Sequence, residues 1–216
     1  LNIINSVFPL QDPDDRPKIY LTEEEKKYDR LANTKKPVLM FTVLGSTLPK
    51  SMPFDYVANL IDYITSNYNV SLLFNYAPHQ KEDALKIYEL CKDKDQIDID
   101  IYEDSIRGFI KLMNQCDLLI ANEGGTVHIT KALNKPTFTI YSPYIEKGDW
   151  NSFEDGLTHE SIHLLDEKPH LFEEFTRESR KVIEENPEAL YRELTPEMIL
   201  QKLEPFLEYH FKNAKK

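Results

Sequence analysis

The fold class this sequence predicts is α/β, a Rossmann-like parallel sheet flanked by helices. Three observations predict it. Apolar, β-rich runs alternate along the chain with segments whose apolar residues recur at helical spacing. The clearest run, Leu118 to Ala121, stops at Asn122-Glu123-Gly124-Gly125 and passes directly into a helical pattern, Thr126 to Leu133. Composition adds a third: 41% hydrophobic residues support a core, and 29% charged residues support a solvated surface.

The elements follow in order. Residues 1–19 carry Pro9, Pro13 and Pro17 among Asp12, Asp14 and Asp15, and read as the end of a helix followed by a linker. Thr22 and Glu25 stand at capping-box spacing and open a short polar helix, whose Glu23 to Lys27 face is solvated. Val38 to Leu44, after Pro37 and closed by Gly45, is the first strand. Phe54, Val57, Leu60, Ile61 and Ile64 mark a helix, and Val70 to Phe74 the next strand. Ala84, Ile87, Leu90 and Cys91 give the next helix face. Ile97, Ile99 and Ile101 alternate with aspartates, as in a strand near a sheet edge. Ile106, Phe109, Ile110 and Met113 give a third helix. After the glycine motif and its helix come strands at Thr137 to Tyr141 and Ser161 to Leu165. A final helix runs from Pro196 to His210.

Charge and composition exclude several functions. The net charge of −11 argues against a nucleic-acid binder, which presents a basic face, and against a basic membrane-surface anchor. No run of apolar residues is long enough to span a bilayer, and no secretory leader is evident. Cys91 and Cys116 fit no metal spacing and read as reduced thiols of a cytosolic protein. The chain opens on Leu1 rather than Met, as a piece of a longer protein would.

In a parallel sheet, ligands bind beyond the carboxyl ends of the strands. The loops expected there are residues 45–50, 75–80, 122–126 and 142–150. Ser46, Thr47 and Lys50 offer hydroxyls and a cation; Glu82 and Glu123 offer carboxylates; His128 and Lys147 offer further donors. Gly124 and Gly125 let a ligand approach the backbone where a helix N-terminus favours negative charge. A phosphate needs donors and positive charge, whereas a sugar needs acceptors. Both on one rim suit a nucleotide sugar.

These residues resemble a known family. Asn122 to His128, with Ala132-Leu133-Asn134-Lys135-Pro136 and Tyr141-Ser142-Pro143, is similar to the donor-binding signature of glycosyltransferase family 9, the ADP-heptose:lipopolysaccharide heptosyltransferases and their relatives. Gly125 and His128 match the family pattern, Glu123 stands in place of its Asp, and Gly124 takes its small position. Ser46-Thr47 with Lys50 resemble the hydroxyl pair and lysine near the donor diphosphate, with spacing about one residue shorter. Ala77-Pro78-His79 with Glu82 resemble the loop that flanks the ribose. The likeness runs from about Pro37 to Pro143, and more loosely to the C-terminus; the Glu-Gly-Gly form and Trp150-Asn151 depart from it.

The resemblance implies the C-terminal, donor-binding domain of a GT-B fold. Residues 1–19 are then the end of an absent N-terminal domain and the interdomain linker. Residues 20–190 are the nucleotide-sugar-binding domain, and 191–216 a helix packing toward the absent half. The implied donor set is Ser46, Thr47, Lys50, Glu82, Glu123, Gly124, Gly125, Thr126 and His128, for an ADP-sugar, with no cofactor and no metal. Asp98 and Asp100, the nearest thing to a metal motif, read as the solvent face of a strand. No catalytic residue is expected in this chain, because the base and the glycolipid acceptor site belong to the absent domain. The setting is cytoplasmic, with a peripheral association at the inner membrane left open for the full-length protein.

Singly, each residue also has an ordinary reading. Gly124-Gly125 can be a tight turn, His128 a satisfied histidine, Lys50 a solvated lysine, Glu123 a helix cap and Trp150 a packing residue. Besides an enzyme half, a stand-alone nucleotide-sugar-binding module or an inactive homologue remains open. An epimerase of the same fold would need catalytic carboxylates that the sequence does not place.

Overall fold

A computed structural model describes residues 15–172 and 187–216. Of the expected helix end and linker over residues 1–19, residues 1–14 lie outside the described residues. The described chain forms a single parallel sheet of six strands: β1 (Val38–Thr42), β2 (Ser71–Asn75), β3 (Ile97–Asp98), β4 (Leu118–Asn122), β5 (Thr137–Ile140) and β6 (His159–Ile162). The order is β3-β2-β1-β4-β5-β6, so the winding reverses between β1 and β4. That reversal opens a crevice at the carboxyl ends of these two strands.

Helices α1 (Phe54–Asn67), α2 (Lys81–Leu90), α3 (Ile106–Gln115) and α4 (Gly125–Ala132) join successive strands. They are followed by the short α5 (Leu164–Glu167), then α6 (Pro187–Glu193) and α7 (Pro196–His210). The central strands are buried on both faces, which explains their near-continuous apolar runs. Alternate β1 residues feed opposite cores. Leu39 and Phe41 pack with Leu60, Ile61 and Ile64 of α1 and with Leu203 and Phe206 of α7. Val38 and Met40 pack with Phe109, Leu112 and Met113 of α3 and Val127 of α4. The expected terminal helix forms over Pro196–His210, with the Thr195 hydroxyl accepting the Met198 amide at its start. Its apolar face lies on α1, β5 and β6 of this same domain.

Three local expectations change. The alternating run 97–101 pairs only over Ile97–Asp98, although it does lie at the sheet edge. The Asp98 carboxylate accepts the amides of Asp100 and Ile101 at 3.0 and 2.9 Å, which turns the chain out of the sheet. Ile106 and Leu90 are exposed rather than inward. Ile106 follows the cap residue Ser105, whose hydroxyl accepts the Gly108 amide at 3.0 Å. Thr22 and Glu25 do form a reciprocal cap, at 2.9 and 3.2 Å, but it closes only one turn, Glu25–Lys27. Both cysteines are free and buried, and burial pushes each thiol up to about 12.

Candidate donor site

The glycine turn sits where β4 ends. Gly124 has φ 149° and ψ −172°, a conformation that side chains rarely adopt. Gly125 opens α4, and a Cβ there would meet nothing within 4 Å. The first N–H groups of this helix have no intrahelical acceptor and face the crevice with the positive end of its dipole. Beside them lies a cavity of about 190 Å³ at the carboxyl ends of β1, β2 and β4. Ser46, Glu123, Gly124, Gly125 and Thr126 line it, together with Asn75, Tyr76, Ala77, Gln80 and Asn122.

The loop after β1 is a closed ring. A Cβ on Gly45 would stand 2.2 Å from the Lys50 carbonyl oxygen, so only glycine fits this closure. The Gly45 amide donates to Ser51 Oγ at 2.9 Å, and that hydroxyl donates to the Thr47 carbonyl at 2.9 Å. Gln80 joins this ring to the loop after β2. Its Nε2 donates to the Gly45 carbonyl at 2.7 Å while its Oε1 accepts the Ala77 amide at 3.0 Å.

Glu123 crosses to the loop after β5, where one carboxylate oxygen accepts the Ser142 amide at 2.8 Å. Burial raises its pKa; the amides of Ser142 and of Glu123 itself, and then the charge of Lys50, pull it back. Lys50 closes the loop beside the crevice but does not itself line the cavity. Its carbonyl accepts the Tyr191 hydroxyl at 2.8 Å. Asn122 donates to the Ile140 carbonyl at 3.3 Å and to the Tyr191 hydroxyl at 3.4 Å. Asn122 Oδ1 and Glu123 Oε1 are both buried without a hydrogen-bond partner among the described residues.

Other expected site residues stand apart from this cavity. Thr47 and Glu82 are exposed and do not line it; Glu82 lies in the first turn of α2, just beyond the bridging Gln80. His128 is half-buried one turn into α4, and its ring stacks on Trp150 at 5.9 Å with an interplanar angle of 27°. Burial, then the charge of Lys131, lowers its pKa. Lys147 pairs with Asp166 at 2.6 Å. Gln80 and Asn122 stand in loops expected at the site but were given no role there, and Tyr191 and His163 escaped the sequence reading. Gln80 had a local signal in its place beside the Ala77-Pro78-His79 turn, and Asn122 in opening the glycine motif; Tyr191 and His163 had none.

A larger hollow of about 600 Å³ opens at the far end of α4, between Lys18, Asn134, Phe153 and His159. It lies at the amino ends of the strands, and the buried Lys131 there is already bonded to the Ser152 carbonyl at 2.8 Å. No cluster of three or more His, Cys, Asp or Glu able to hold a metal occurs among the described residues. No helix among them is long and apolar enough to cross a membrane.

Comparison with known proteins agrees with this fold. The profile of glycosyltransferase family 9 (heptosyltransferase) matches residues 2–170. No curated protein matches the sequence. Among solved structures, a glycosyl transferase family 9 protein from Veillonella parvula DSM 2008 superposes with a TM-score of 0.70 at 15% identity, over 95% of this chain and 58% of that one. E. coli ADP-heptose lps heptosyltransferase II gives 0.60 at 18% identity, over 92% and 55%. E. coli heptosyltransferase WaaC with ADP-2-deoxy-2-fluoro heptose gives 0.54 at 17%, over 80% and 44%. The chain thus spans little more than half the length of the first two.

Proposed function

Because the chain belongs to glycosyltransferase family 9, we propose that it is the donor-binding half of a glycosyltransferase that takes a nucleotide sugar of the ADP-heptose kind. The observation that carries this reading is the crevice at the sheet's point of reversal. There the glycine turn of β4 meets the Lys50 loop of β1, with the unpartnered oxygen of Glu123 beside them. The solved E. coli protein with an ADP-2-deoxy-2-fluoro heptose shares the fold, which favours an adenine nucleotide.

In this reading the donor diphosphate lies against the amides that open α4, where Gly125 leaves the approach clear. Lys50 and those amides take up the negative charge of the departing nucleoside diphosphate, a role that needs no metal ion. An acceptor hydroxyl attacks the anomeric carbon with inversion. A base from a partner domain removes its proton, because among the described residues no carboxylate in the crevice is free of structural bonds. The acceptor would be a glycolipid held by that domain, and the product part of lipopolysaccharide or a related surface glycan. The protein would work in the cytoplasm, at the inner membrane when joined to its other half.

The experiment is a thermal-shift screen with ADP, UDP and GDP. A ligand at a hundred times its dissociation constant stabilises by about 2.7 kcal/mol, which is easily seen. ADP is expected to raise the midpoint most. No shift with any of the three sinks the donor reading. Transfer of sugar to any acceptor by the 216-residue chain alone would overturn the division of labour between two halves.

A further inference from the structure

Tyr191 belongs to α6, outside the residues matched by the family profile, yet it stands directly behind the crevice. Its side chain is fully buried. The hydroxyl donates to the Lys50 carbonyl at 2.8 Å and accepts from Asn122 at 3.4 Å, and the ring meets Tyr144 edge-on at 6.3 Å. One phenol thus touches the loops that follow β1 and β5 and, at Asn122, the end of β4 where the third loop begins. These loops carry Lys50, Glu123 and the Ser142 amide that Glu123 accepts.

α6 is itself held in place. Arg192 pairs with Asp55 of α1 at 2.6 Å, and the Tyr56 hydroxyl donates to the Arg192 carbonyl at 3.1 Å. The Lys50 carbonyl has little freedom on its other side, because Gly45 packs against it. We infer that Tyr191 is a positioning residue for the donor site, whose hydroxyl sets the Lys50 loop against the Asn122-Glu123 end of β4. This rests on the donor reading and adds to it a residue supplied by the segment that follows the matched region.

The test is Tyr191→Phe, which removes one oxygen and keeps the ring. The probes are ADP, UDP and GDP, of which the tightest binder is used together with its parent nucleoside. Losing the hydroxyl should weaken the diphosphate by about three- to tenfold, the worth of one hydrogen bond. The nucleoside should stay within about twofold, which also reports that the variant is folded. In a Lys50→Ala background, Tyr191→Phe should weaken the diphosphate no further, because it acts through Lys50. Equal losses for diphosphate and nucleoside, loss of nucleoside binding altogether, additive losses in the double variant, or an unchanged diphosphate affinity would each overturn the inference. Wild-type protein that binds none of the three diphosphates would instead remove the donor reading.

Discussion

The Glu123 carboxylate accepts the Ser142 amide at 2.8 Å through one oxygen, while its other oxygen is buried with no hydrogen-bond partner among the described residues. A half-satisfied buried carboxylate is costly in the unliganded fold. Burial places its folded pKa above the usual 4.5, so the fold favours the protonated form. The sign follows. The stability this group contributes is fully present below the unfolded value and is lost as pH rises through the raised folded value. Glu123→Gln keeps an acceptor for Ser142 and removes the charge. Its melting temperature at pH near 7.5 should exceed that of wild type, and the gap should close toward pH 4.5. A variant with the same melting temperature as wild type at both pH values would show that the charge costs nothing.

Lys50→Ala should weaken a nucleoside diphosphate far more than the nucleoside. The charge of Lys50 favours the ionised form of Glu123, and in the donor reading the lysine meets a phosphate. Loss of one charge-assisted hydrogen bond costs about 1.5–3 kcal/mol, a factor of roughly ten to a hundred. Calorimetric titration with ADP and adenosine measures both. Equal ADP affinity in the two proteins removes Lys50 from the site.

The strands were legible because burial on both faces leaves long apolar runs, and β1, β2, β4 and β5 fall within a residue or two of where those runs stand. The edge strand was overread, because alternation cannot reveal that Asp98 will cap its own turn. The glycine turn was legible from its neighbours alone. What joins the loops was not: Gln80 reaches Gly45 across 35 residues, and Tyr191 reaches Lys50 across 141. Such bonds depend on sheet order, which no local pattern encodes. His163 was hidden inside an apolar run, where a buried cap looks like any strand residue.

Gly124 and Gly125 should fail in different ways. Gly124 holds a backbone conformation open essentially to glycine alone, although space surrounds it. Gly124→Ala should therefore lose about 1–3 kcal/mol of stability. Gly125 has an ordinary backbone and open space, so Gly125→Val should cost no more than about 1 kcal/mol. Its side chain would occupy the space proposed for the diphosphate, so ADP binding should vanish from a protein that still unfolds cooperatively. Urea melts and ADP titrations on both variants decide it. A Gly125→Val protein with undiminished ADP affinity refutes the proposed seat of the diphosphate.

His163 should make the fold acid-sensitive. It follows β6, is 1% exposed, and caps α5 by accepting the Leu165 amide on Nδ1 at 2.9 Å. Burial lowers its pKa; Asp166 opposes that shift and Lys147 adds to it. Protonating Nδ1 would destroy the cap and leave a buried charge. The folded pKa is depressed, so the stability it contributes is present above the usual 6.5 and is lost as pH falls through the lower folded value. His128 and His159 are shifted the same way, so wild type should weaken steadily below that pH. Asn accepts a cap hydrogen bond without titrating. His163→Asn should thus be less stable than wild type at pH 7.5, by about 1–3 kcal/mol for the space it leaves, yet lose less between pH 6.5 and 5. Urea midpoints at the three pH values measure the slopes. Parallel slopes for the two proteins would mean that His163 does not carry the acid sensitivity.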